Sequence, residues 1–316
     1  DDAQRTAGRA AAATAVEETF GINIDDFALG VDSVGGAFET AGRHTITPPD
    51  PEVPQDTEAA AFFDVDNTLI QGSSLILLAK GLFRRHFITL SELAPALWKQ
   101  IRYRVSGSEN AADIAEGREQ ALAVVKGKSV AELKAACKEI VDQQMLRKSY
   151  QDTVELAAMH IAAGQQVWLV SATPVQIGQA LAETLGFTGA LGTVAEEDDG
   201  KFTGRLVGDI LHGPGKKHAV AALAALQQLD LSQCTAYSDS INDLPMLEMV
   251  GSPVAINPDR ALRKHAKAQG WEIRDYRSVR RVVRLSTLPV LGAAGAFSLW
   301  RLWSKRQVRT HHGRFC

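Results

Sequence analysis

Hydrophobic positions along the chain change texture near residue 59. Residues 59–65 form a short apolar run that ends in acidic residues, the pattern of a buried parallel strand. A long helical stretch follows. Leu75, Leu78, Ala79 and Leu82 recur at helical spacing, then Leu90, Leu93, Leu97 and Ile101, then Leu133, Cys137, Ile140, Val141 and Met145. No strand signal interrupts 73–149, which predicts an all-helical insert. Beyond it strands at 167–170, 189–194, 234–237 and 252–256 alternate with helices at 175–185, 215–229, 244–250 and 261–269. That alternation predicts an α/β chain, a Rossmann-like parallel sheet with helices on both faces and the helical insert after its first strand. In such sheets the ligand crevice lies beyond the carboxyl ends of the strands.

Residues 1–57 read differently. An Ala-rich start runs through Gly, Asp and Thr into a stretch with Pro48, Pro49, Pro51 and Pro54. Proline removes amide donors and favours extended backbone, so this part reads as a weakly ordered head and linker. An amphipathic helix around 27–38 is the alternative. No basic start, apolar run and small-residue cleavage site mark a secretory signal. The expected organisation is therefore a head at 1–57, a catalytic core at 58–72 and 150–275, a helical cap at 73–149 and a tail at 276–316.

Composition narrows the function classes. The 316 residues are 45% apolar and 22% charged, with a formal net charge of −3. This excludes a mostly disordered chain, a collagen and a polytopic membrane protein. Near-neutrality argues against nucleic acid as a partner. Cys137, Cys234 and Cys316 form no CxxC pair, so a reducing, cytoplasmic setting is expected. The average hides an asymmetry: residues 1–60 carry −9 and residues 271–316 carry +8. Within that basic tail, 285–300 is sixteen residues without a charge, flanked by arginines and lysines, ending in Trp300 with Trp303 beyond it. Contact with an anionic membrane is the expectation there, and a helix docked on the protein the alternative.

Candidate chemistry sits at strand ends and helix starts. In FFDVDNTL, Asp64 and Asp66 end the first strand two residues apart, on one face of an extended chain. Carboxylates that close repel unless a cation or a proton intervenes, and Mg²⁺ favours such oxygen ligands. In LVSAT, Ser171 ends a strand where the hydroxyl and the amides around Ala172, just before Pro174, can bind an anion. In HGPGKKHAV, glycine-rich backbone precedes Lys216 and Lys217. Lys216 is preferred because it follows Gly215 directly. In YSDSINDLPML, Asp239 ends a strand and Asn242 and Asp243 precede a helix, adding carboxylates for a metal with Asp64. Each segment alone also fits a plain cap or a solvated loop.

Together, in this order, the four segments resemble the haloacid dehalogenase superfamily, and most closely its subfamily IB, the phosphoserine phosphatase-like branch. The resemblance covers about residues 59–275, and the insert stands where that branch has its C1-type cap. It implies a Mg²⁺-dependent phosphomonoesterase acting on a small phosphate ester. Asp64 would be the nucleophile, forming an aspartyl-phosphate, and Asp66 the general acid and base. Ser171, Ala172, Lys216 and Asn242 would hold the phosphoryl group. Asp64, Asp66 (through its main-chain carbonyl), Asp239 and Asp243 would hold or support the metal. One position departs: the branch's ammonium-binding glutamate, nine residues after the nucleophile, is Ser73 here. A hydroxyl cannot supply the charge that an ammonium group prefers, which puts phosphoserine in question as the substrate. Arg84, Arg85, Arg102 and Arg104 in the insert are candidates for an anionic part of the ester. A phosphotransferase is an alternative that the sequence does not separate from a hydrolase; a phospho-ligand-binding module without turnover is another, and retention of Asp64, Asp66, Ser171, Lys216 and Asp239 favours the enzyme over it. A lipid-derived ester would follow if the tail binds membrane.

Overall fold

The computed structural model describes residues 2–41, 47–89, 92 and 122–277. Residues 275–316 form a unit apart from 1–274, so the tail expected to meet a membrane lies almost wholly outside the described residues. Among the described residues no helix is long and apolar enough to cross a membrane.

Seven strands form one sheet: β1 (Ala60–Phe63), β2 (Gln166–Pro174), β3 (Gly189–Asp198), β4 (Lys201–Val207), β5 (Thr235–Ser238), β6 (Ser252–Ile256) and β7 (Glu272–Arg274). Their order is β4-β3-β2-β1-β5-β6-β7. All neighbours are parallel except β3 and β4. The chain builds outward from β1 through β2 to β4, then returns to β5 on the other side of β1. This makes the carboxyl end of β1 a topological switch point, where such sheets bind ligands. The four residues of β1 are wholly buried, as a central strand covered on both faces must be.

Two strands were not expected. β4 pairs back on an extended β3 through Asp199 and Gly200, whose φ angles of 47° and 71° make the tight hairpin that an Asp-Gly pair favours. β7 is a three-residue edge strand, too short to stand out in a pattern.

The head differs from its sequence reading. Residues 1–57 are not weakly ordered throughout: Asp2–Phe20 and Ile24–Ala41 are helices, α1 and α2. In α2, Phe27, Val31, Val34 and Phe38 line one face and join the hydrophobic core with Val34 and Ala37 fully buried. The acids Asp25, Asp32 and Glu39 fall on exposed positions seven residues apart. The acidity that looked like disorder is the solvated face of an amphipathic helix. Phe38 stacks on Trp168 of β2 at 5.9 Å between centroids. α1 is mostly exposed and meets α2 through an Arg9–Asp25 ion pair and a Phe20–Phe27 stack. The proline-rich stretch is tied down as well: Thr47 Oγ1 donates to Gly186 O, and Asp50 N and Asp56 N donate to Ala162 O and Ala163 O.

The described parts of the insert are helical. α3 (Ser74–Arg84) and α4 (Val130–Ile140) cross so closely that a Cβ on Gly81 would lie 2.4 Å from Ile140 Cγ1. A five-residue π-helical turn, Val141–Met145, and a 3₁₀ turn, Leu146–Lys148, lead back to α5 (Gln151–Ala162) and the core. The remaining helices are α6 (Val175–Leu185), α7 (Pro214–Gln227), α8 (Leu244–Leu247) and α9 (Arg260–Gln269). α8 starts at Leu244 as expected but ends at Leu247, where the chain passes into a turn at 248–249.

Candidate active site

The carboxyl ends of β1, β2 and β5 gather the candidate residues. Asp64 N donates to Tyr237 O at 2.9 Å, so the β1–β5 pairing continues into the first acid of the DVD segment. After Asp66 the chain turns on Asn67, at φ 56°. Its side-chain oxygen accepts from Gly72 N at 3.0 Å, and its carbonyl accepts from Asn257 Nδ2 at 2.9 Å. Asparagine tolerates the left-handed conformation because its short amide can bond locally.

This turn sends the two acids to different partners. Asp64 is buried, and Lys216 Nζ lies 2.6 Å from its Oδ1. The same ammonium lies 2.7 Å from Asp243 Oδ2, which also accepts from Ser238 Oγ at 2.7 Å. Asp66 Oδ1 accepts from Ser74 N at 2.8 Å and from the Ser74 hydroxyl. The first turn of α3 therefore holds one carboxylate oxygen of Asp66. Ser171, buried, shares a 2.9 Å hydrogen bond with Thr173 Oγ1 and accepts from Thr173 N. Ala172 between them is exposed and its carbonyl accepts from Thr193 Oγ1. Asp239 is half-buried, and its carbonyl accepts from Asp259 N at 2.7 Å.

Of the expected residues, Asp64, Lys216 and Asp243 meet directly. Lys217 does not join them: its Nζ reaches Gly21 O at 3.1 Å instead. Asn242 is exposed, its N–H given to Ser240 Oγ. Arg85 pairs with Glu139 and Gln143 inside the insert, Arg84 is exposed, and Arg102 and Arg104 lie outside the described residues. Ser74, Thr173 and Ser238 were missed. Thr173 and Ser238 are hydroxyls inside the LVSAT and YSDSINDLPML segments and Ser74 follows Ser73, and the only signal for them is that position.

Electrostatics make Asp64 unusual. Burial pushes its carboxyl up from the ordinary 3.8 to about 8; Lys216 opposes this, while Asp243, Asp239 and Asp66 add to it. Burial disfavours the Lys216 ammonium too, but Asp64 and Asp243 override it and hold that group above the usual lysine range. One lysine among four carboxylates leaves the crest short of positive charge. The donors are all oxygens, the set that suits Mg²⁺. Among the described residues no three acidic, histidine or cysteine side chains converge into a ready-made cage. Mg²⁺ does not need one, because it keeps waters and takes only one or two carboxylates. The residues present fit a divalent cation.

The family model for haloacid dehalogenase-like hydrolases matches residues 61–248. "Phosphoserine phosphatase SerB1" of Mycobacterium tuberculosis (strain ATCC 25618 / H37Rv) is 54% identical over 232 residues, 73% of this chain and 75% of that protein. A solved protein of unknown function from Bordetella pertussis Tohama I superposes with a TM-score of 0.62 at 30% identity, over 70% of this chain and 99% of that one. A substrate-bound phosphoserine phosphatase complex shares the fold, with a TM-score of 0.50 at 18% identity over 73% of this chain and 99% of that one. The chain belongs to the haloacid dehalogenase-like hydrolase family. Within it, the chain is a phosphoric monoester hydrolase of the phosphoserine phosphatase-like branch.

Proposed function

We propose that this phosphatase hydrolyses a small phosphate monoester through a phosphorylated Asp64. The observation that carries the reading is the buried Asp64–Lys216–Asp243 cluster at the switch point, with Asp66 held beside it by Ser74. A carboxylate oxygen of Asp64 attacks phosphorus, and the bond to the ester oxygen breaks. Asp66, one oxygen fixed by Ser74, gives its proton to the departing alkoxide. Water then attacks the acyl phosphate, Asp66 takes its proton, and phosphate leaves as Asp64 is restored. Lys216, Ser171 and the Ala172 amide neutralise and orient the phosphoryl oxygens. Asp64, the main-chain carbonyl of Asp66 and Asp239 would hold Mg²⁺, with Asp243 supporting it. The cation supplies the positive charge that lets an anionic nucleophile approach an anionic ester.

Phosphoserine, which the Mycobacterium tuberculosis relative is named for, is not the preferred ester in this reading. Ser73 caps α3, its Oγ accepting from Ile76 N, and brings no charge to an ammonium group. The test is phosphate release from p-nitrophenyl phosphate and a panel of natural monoesters, with Mg²⁺ and with EDTA. Turnover should need the cation and fall about a thousandfold or more in Asp64→Asn. Turnover retained in a folded Asp64→Asn protein would overturn the covalent step.

A further inference from the structure

The mechanism leaves out a closely fitted seam, where α2 meets the start of α7. Lys216 projects from that start, and the head grips the backbone on both sides of it. Upstream, Asp209 N donates to Ser33 Oγ at 2.8 Å, and the Ser33 hydroxyl donates in turn to Leu29 O. Gly208, at φ 69°, passes so close that a Cβ there would sit 2.2 Å from Ser33 Oγ. Downstream, a Cβ on Gly30 of α2 would sit 2.2 Å from His218 O. Between them the loop doubles back, with Asp209 Oδ1 accepting from Ile210 N and a Cβ on Gly215 only 2.0 Å from Ile210 O. Lys217 Nζ fastens the same turn to Gly21 O, and the buried His218 ring lies between Asp209 and Asp26 of α2. Three successive residues thus divide their work: Lys216 enters the active site while Lys217 and His218 face the head.

We infer that α2 is a positioning element of the active site: Ser33 and Gly30 set the loop and first helical turn from which Lys216 reaches Asp64. These contacts of α2, and not its apolar core face, then act on phosphoryl binding through Lys216. This rests on the proposed role of Lys216, so the test separates the two. Inorganic phosphate serves as the probe, through its inhibition constant against p-nitrophenyl phosphate, with kcat and KM measured alongside. Three full-length variants are compared with wild type. Ser33→Ala removes the hydroxyl that accepts from Asp209 N. Lys217→Met releases the milder fastening without touching the core. Val34→Ala truncates a core residue on the same helix and leaves these contacts in place.

Ser33→Ala should raise the phosphate inhibition constant and KM about fivefold or more, and Lys217→Met about twofold, while Val34→Ala lowers thermal stability and leaves both constants unchanged. In a Lys216→Ala background, Ser33→Ala should add nothing, because the interaction it acts through is gone. Additive effects in that background, or Ser33→Ala and Val34→Ala behaving alike, would overturn the positioning role. A Lys216→Ala protein that binds phosphate as wild type does would instead overturn the proposed role of Lys216. Should Ser33→Ala not fold, Lys217→Met decides: unchanged constants there count against the inference.

Discussion

The crest of the sheet around Asp64 and the seam beneath α2 are both buried, but they are built oppositely. The crest takes charges out of water and leaves them imperfectly balanced, one ammonium against several carboxylates. The seam is made mostly of apolar side chains and of glycines that let backbones touch, with Ser33, Lys217 and His218 as its polar links. Burial of that second kind stabilises the fold by removing apolar area from water. Burial of the first kind costs stability unless every charge is paired, and it persists where the strained electrostatics serve chemistry. The comparison predicts that apolar truncations in the seam cost stability and spare kcat, while substitutions at the crest cost turnover.

The largest effect on stability should come from the seam. Phe38→Ala removes a partly buried ring from Trp168 and should cost about 2 kcal/mol in urea unfolding, with kcat of the folded enzyme unchanged. A matching loss of kcat would mean that the two regions are not separable in this way. The crest should show the reverse. Ser74→Ala removes a hydroxyl that touches Asp66, and kcat should fall about tenfold while the unfolding midpoint barely moves. Equal loss in both measurements would make Ser74 a plain helix-capping residue.

The smallest effect is a dependence on pH, and its sign follows from Asp64. In the folded protein without a cation its carboxyl is raised from 3.8 to about 8, so between these values the folded state keeps a proton that the unfolded chain gives up. Stability from this group is therefore present at low pH and lost as pH rises towards about 8. Thermal melts in EDTA should show wild type losing several degrees relative to Asp64→Asn across that window, and saturating Mg²⁺ should narrow the gap. Parallel curves in EDTA would show that the Asp64–Lys216 pair is balanced and the crest is not short of positive charge.

The candidate residues of the motifs were legible because they sit where a parallel sheet must put them. Asp64, Ser171 and Asp239 lie in or just after strands whose apolar runs were plain, and the crossover rule sends those ends to one crevice. The hydroxyls were not legible. Ser74 and Ser238 are ordinary residues in sequence, and their roles depend on where the Asn67 turn and the Ile241–Asp243 turn point their neighbours. The head was misread for a related reason. Net charge and prolines dominated the composition of 1–57, whereas the four apolar positions of α2 decided its structure.

By itself the sequence determined the α/β class, the place of the helical insert and the family, and it singled out Asp64, Asp66 and Asp239 as candidates at strand ends. These depend on local periodicity and on a few residues at strand ends, and both are written along the chain. Tertiary structure decided that Lys216 and not Lys217 meets Asp64, that Asp243 shares that ammonium, and that residues 24–41 belong to the core. Such outcomes turn on which way a helix faces and how close two backbones come. No window of sequence contains that information, because the partners lie between about 27 and more than 150 residues apart and meet only when the sheet closes.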